Sequence, residues 1–247
     1  MGRLDGKRAF ITGAGGGIGA AFARAFAAEG ASVALADINA PLVRETAASI
    51  PGAKAYVVDV RDRAAVHAAV DEFAADGGLD ILVNNAVAFH YALLTDMPED
   101  IVDRMLDVGI KGTFWSTQAA TPHLIARGGG SIINMSSVAV SFAIKHAAVY
   151  TSIKGAIDAF TRQQAVELGT HGIRVNALAP GAVVTPGASS VIDEDGWEKR
   201  RAMTPLGRLV TDAEVAAAAI FLASDSGLSV AGITLKVDAG ITIAGPR

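Results

Sequence analysis

The chain has no cysteine, which excludes disulfides, thiolate nucleophiles and cysteine-based metal sites. Its five histidines are scattered without ligand spacing, so no metal centre is expected. Charged residues make up only 19% and aromatic residues 6%, and the net charge is −4. Such a balance gives no electrostatic case for nucleic acid or an anionic membrane as partner. No apolar run approaches the ~18 residues needed to span a bilayer, and Met1–Lys7 is polar, unlike a signal peptide. The expectation is a soluble, cytoplasmic protein.

What is abundant is aliphatic: 51% of the 247 residues are hydrophobic and 27 are glycine, enough for one large α/β domain with a substantial core. Short Val- and Ile-rich runs predict strands over Arg8–Thr12, Ser32–Ala36, Ala53–Val58, Asp80–Val83, Ser131–Met135, Arg174–Leu178 and Thr234–Val237. Their continuous hydrophobicity matches strands covered on both faces, as in a parallel sheet. Helical periodicity predicts helices over Arg63–Ala75, Ile101–Ile125 and Val149–Leu168. Strand–helix alternation argues a Rossmann-like, doubly wound α/β sheet of about seven strands within a single domain, residues 1–247. The stretch Pro180–Pro205 is read as irregular, with a substrate lid over 182–205; an exposed insertion is the alternative.

The first strand runs into T-G-A-G-G-G-I-G, placing Gly13, Gly17, Ile18 and Gly19 at the start of a helix. Glycines permit a tight turn and close approach of backbone to a pyrophosphate, and the helix N-terminus attracts the anion. The spacing is G-x-x-x-G-x-G rather than the common dinucleotide fingerprint. Asp37 ends the second strand, twenty residues after Gly17. A carboxylate there suits the two ribose hydroxyls of an adenosine and repels a 2′-phosphate, so NAD is favoured over NADP. Asp37 as an N-cap for the next helix is the structural alternative. Asp59 and Val60 are read at the end of strand three, facing the adenine edge or simply turning the chain.

Tyr150 and Lys154 stand four apart, on one face of a predicted helix, thirteen residues after Ser137. With Thr12–Gly19, Asp59-Val60, Asn84-Asn85-Ala86, Ser137, Asn176–Gly181, Thr185 and Val237–Gly240, the chain resembles the short-chain dehydrogenase/reductases, in their compact single-domain form, over essentially its whole length. The resemblance implies NAD-dependent hydride transfer between a secondary alcohol and a ketone, and commonly a homotetramer formed through the two long helices. It makes Tyr150 the acid/base, Lys154 the group that favours its phenolate and binds the nicotinamide ribose, and Ser137 the partner of the substrate oxygen. Tyrosine ordinarily titrates near 10, so work at neutrality requires that assistance. Asn85, Ala86, Pro180, Gly181, Val183 and Thr185 complete the implied cofactor site.

Two positions depart from the family. Gly109, in Val108-Gly109-Ile110-Lys111-Gly112, stands where similar proteins often carry a catalytic Asn, and Val87 replaces the Gly of N-N-A-G. A catalytically weak or inactive NAD-binding protein is therefore a rival reading. An NADP-dependent 3-oxoacyl-type reductase is another, opposed by Asp37. Phe89, His90, Ala139, Val140, Phe142, His146, Ala182 and Val183 are expected around a neutral or modestly polar substrate. Arg200 and Arg201 meet an anionic one, or lie on a solvated charged face.

Overall fold

The computed structural model describes residues 2–190 and 192–244. Seven parallel strands form one sheet in the order β3-β2-β1-β4-β5-β6-β7. They are β1 (Arg8–Thr12), β2 (Ser32–Asp37), β3 (Lys54–Val57), β4 (Ile81–Asn84), β5 (Gly130–Met135), β6 (Ile173–Pro180) and β7 (Thr234–Val237). The strand order reverses between β1 and β4, the point at which an open α/β sheet leaves a crevice beyond its strand ends.

One face is covered by α1 (Gly17–Ala28), α2 (Ala40–Ala48) and α9 (Asp212–Ala223), whose Phe22, Phe26, Val43, Val215 and Ile220 pack on Ile11, Leu35, Val83 and Ile133. The other is covered by α3 (Arg63–Ala75), α5 (Gly112–Ala126) and α6 (Ala148–Gly169), through Val70, Phe73, Leu124 and Leu168 on Phe10, Leu82 and Ile132. Buried on both faces, the inner strands have no solvent side to present, which is why their sequences run largely apolar without alternation, while the edge strands β3 and β7 stay partly exposed. A buried polar line crosses this packing. Asn84 Nδ2 donates to Thr117 Oγ1 (3.1 Å) and to Asn134 Oδ1 (2.9 Å), and Asn134 Nδ2 donates to Thr161 Oγ1 (2.9 Å). It ties β4 and β5 to α5 and α6 just below the catalytic rim.

Two expectations are revised. The helix predicted over 101–125 is broken: α4 (Glu99–Leu106) passes through a π-helical turn, Asp107–Lys111, into α5. Gly109 lies buried inside that turn, so glycine does permit the distortion. The segment 182–205 is not irregular but carries α7 (Pro186–Ser189) and α8 (Glu194–Met203). The acidic run Asp193–Asp195 is a helix start: the Asp193 side chain accepts from Gly196 N, with Glu194 and Asp195 in the first turn and Arg200 and Arg201 in the last. Each charge is placed where the helix dipole favours it. Among the described residues no helix is long and apolar enough to cross a membrane.

Candidate active site

At the end of β1, Gly13 adopts φ +64°, and a Cβ there would lie 2.7 Å from Ala86 Cα. A Cβ on Gly19 would fall 2.1 Å from Gly13 O, so α1 packs directly onto the turn. Asn85 fastens this geometry: its Nδ2 donates to Thr12 O (3.1 Å) and Gly13 O (2.8 Å), and its own N–H donates to Thr12 Oγ1 (3.1 Å). The N-cap of α1 is Gly16, which has no side chain to cap the helix, and a Cβ on it would meet nothing within 4 Å. Open space before uncapped N–H groups fits a phosphate-bearing cofactor. Across this space Thr185 lies 3.5 Å from the Cβ position of Gly17, while its hydroxyl caps α7.

Asp37 reaches the turn from β2. Its Oδ2 accepts from Gly15 N and its Oδ1 from Asn39 N, each at 2.9 Å. The cap of α2 is Asn39, not Asp37, so the carboxylate belongs to the glycine turn. Gly15, given no role by its spacing, is the residue that binds it. Asp59 lies two residues beyond the end of β3 and forms a fork with the Arg61 guanidinium (closest approach 2.6 Å). Val60 is buried against Gly112. The turn-forming alternative thus accounts for the contacts of both.

Beyond β4, β5 and β6 opens a cavity of about 670 Å³. Ser137, Tyr150 and Lys154 line it together, with Ile18, Asn85, Phe89, Phe142, His146, Pro180, Gly181, Ala182, Val183 and Thr185 from the expected set, and Val87. His90 is exposed outside it, and Ala139 is buried, its N–H donating to Ser137 Oγ (3.2 Å). Lys154 is 5% exposed and donates from Nζ to Met135 O (2.6 Å). Its Nζ lies 5.7 Å from the Tyr150 ring centroid. Burial pushes Lys154 down to about 8, the charge of Asp158 opposing. Burial pushes the Tyr150 phenol up, and interaction with Ser137 pulls it the other way. At the phenol desolvation is the larger influence, and the Lys154 ammonium is turned to a carbonyl.

Several cavity residues escaped the sequence reading. Tyr91 packs at a tilt between Phe89 (centroids 6.0 Å, 40°) and Tyr150 (5.8 Å, 57°), and its phenol is pushed up to about 12 by burial, then by Tyr150. Its nearness to Phe89 in the same loop was the available signal. Trp197, Lys199 and Met203 enter from α8 beside Arg200, which the sequence had already placed near an anionic substrate; the other three required the segment to be seen as a helix.

An open parallel sheet that brings a glycine turn and a Ser–Tyr–Lys group to one rim is the architecture of the nicotinamide-dependent oxidoreductases. A family model described as enoyl-(acyl carrier protein) reductase matches residues 13–242. Galactitol 2-dehydrogenase of Agrobacterium fabrum is 42% identical over 239 residues, covering 90% of this chain and 92% of that protein. A 7α-hydroxysteroid dehydrogenase complexed with NADH superposes with TM-score 0.93 at 35% identity, covering 98% of this chain and 97% of that one. Gluconate 5-dehydrogenase of Burkholderia cenocepacia, in complex with NADP and tartrate, gives 0.92 at 40%, covering 98% of each. The chain belongs to the short-chain dehydrogenase/reductase family.

Proposed function

We propose that the protein is an NAD-preferring dehydrogenase that interconverts a secondary alcohol and a ketone, with Tyr150 as the acid/base. The observation that carries the reading is the convergence of Ser137, Tyr150 and Lys154 on one cavity beside a glycine turn held by Asp37. The bound nicotinamide supplies the hydride acceptor or donor. Ser137 Oγ holds the substrate oxygen and stabilises its developing charge. Tyr150 gives that oxygen a proton in reduction and takes it in oxidation. Its burial keeps the phenol protonated in the cofactor-free chain, the state reduction requires. Lys154, buried beside it, provides the positive charge that makes the phenolate accessible once Nζ turns from Met135 O. Preference for NAD rests on Asp37, since NADH-bound and NADP-bound neighbours both occur.

The segment 182–205 acts as the lid, anchored by Trp197, which is 5% exposed. Exposed Phe114 and Ile125 on α5 and Val166 on α6 support association of copies through those helices, as in a homotetramer. Initial rates with NAD and NADP over a panel of secondary alcohols and ketones, native beside Tyr150→Phe, test the function. The expected outcome is turnover with NAD that falls roughly 10²–10⁴-fold in the variant. NADH binding without turnover, indifferent to Tyr150→Phe, would identify a nucleotide-binding protein instead.

A further inference from the structure

The ionisable groups lining the cavity share one sign. Lys145, Lys154, Lys199 and Arg200 face it together with His146, and among the described residues no aspartate or glutamate lines it. An apolar cavity walled by cations disfavours a cationic guest and rewards an anion. Among the cations of α8, Arg200 is singular. Lys199, Arg200 and Arg201 are consecutive on α8, and two of them are satisfied by acids of the same helix: Lys199 pairs with Asp195 (2.6 Å) and Arg201 with Glu198. Arg200 has no carboxylate partner among the described residues. Its one hydrogen bond is from Nη1 to Gly196 O (2.9 Å), and its guanidinium stands 6.0 Å from the ring centroid of buried Trp197. It is half-buried on the cavity side. Its charge favours the Tyr91 phenolate, and Tyr91 packs at a tilt against Tyr150.

We infer that the substrate of this site is a hydroxy or keto acid, and that Arg200 binds its carboxylate while Tyr150 addresses the hydroxyl or carbonyl. The inference rests on the oxidoreductase reading for the second half of that statement but not for the first. One unpaired guanidinium matches one negative charge, and its planar fork suits a carboxylate. Aromatic walls from Phe89, Tyr91 and Trp197 contain the carbon chain. Arg200 is then a specificity residue on the lid, so closing the lid and seating the acid are one event.

The test compares matched pairs that differ only in charge: gluconate against sorbitol, and 3-hydroxybutyrate against its methyl ester. Binding is measured by calorimetry on full-length Tyr150→Phe protein saturated with NAD or NADP, so that no turnover intervenes. We expect at least one acid to bind roughly tenfold or more tightly than its neutral partner, the scale of a charged hydrogen bond. Arg200→Gln should erase that preference, Arg200→Lys should restore part of it, and Arg201→Gln should leave it intact. Equal binding within both pairs, no binding of either acid, or a preference that survives Arg200→Gln would each overturn the inference. Charge-selective binding without turnover in the native protein would keep it and instead sink the dehydrogenase reading.

Discussion

Restoring the family's asparagine at position 109 should damage this protein rather than repair it. A Cβ on Gly109 would lie 2.6 Å from Ile153 Cγ2 and 3.5 Å from its Cδ1. Carbon atoms are at ease at about 3.5–4.0 Å, so the pair must part by about 1 Å. Ile153 is 2% exposed and packed with Met105 and Val149, and its branched side chain is stiff at χ1 within α6. Overpacking of this kind costs about 1–3 kcal/mol. Replacing glycine by asparagine in a helix gains only a few tenths of a kcal/mol, so the clash wins. At about 2–4 °C per kcal/mol for a chain of this size, Gly109→Asn should lower Tm by about 3–10 °C. Gly109→Ala carries the same Cβ but gains about 1 kcal/mol of helix propensity, and should fall between. Ile153→Val keeps Cγ2 and should not relieve the loss. Ile153→Ala removes it, and the double variant should recover about 0.5–3 kcal/mol relative to additivity. Thermal unfolding of the cofactor-free proteins by near-UV circular dichroism, read as a double-mutant cycle, measures this. Because Ile153 directly precedes Lys154, the single variant should also lose activity. A Gly109→Asn protein that melts at or above the native temperature would refute the packing argument.

Asp37→Ala tests the proposed hydrogen bond to the ribose: a charged hydrogen bond contributes about 1.5–3 kcal/mol, so the ratio of kcat/KM for NAD over NADP should fall roughly 10–100-fold, and an unchanged ratio would show that Asp37 does not set cofactor choice. Lys154 predicts a pH dependence. Folding lowers its pKa from 10.5 to about 8, so the cost of burying the ammonium is fully present below pH 8 and lifts as pH rises to 10.5. At about 1.36 kcal/mol per pH unit that interval corresponds to about 3 kcal/mol. Native stability measured by urea unfolding should therefore rise by that amount relative to Lys154→Met across the window, Tyr150 being common to both; parallel curves would contradict a buried, depressed Lys154.

The strands were legible because parallel strands buried on both faces leave an unbroken aliphatic run, and only their ends shifted by a residue or two. Arg63–Ala75 was legible to the residue, its apolar positions recurring at helical spacing with Asp62 as cap. The π turn was not. Hydrophobic periodicity over 101–125 is nearly continuous, and the break depends on which carbonyl Gly109 and its neighbours bond, a matter of one residue's offset. The helix α8 was hidden for a different reason. Its sequence is dominated by charge, and the single buried anchor, Trp197, says nothing about docking until the cavity wall it meets is known.

The catalytic group divides the same way. Residue type and spacing identified Ser137, Tyr150 and Lys154, and the fold brings them to one cavity. Their protonation was not readable from spacing, since one helical turn between a phenol and an ammonium implies attraction, whereas burial acts on each group separately. Desolvation raises the tyrosine and lowers the lysine, so burial works against the charged form of each group. Oxidation requires added positive charge or a reoriented Nζ to reach the phenolate. In the proposed reaction a nicotinamide held by the glycine turn and Lys154 would supply that positive charge beside Tyr150.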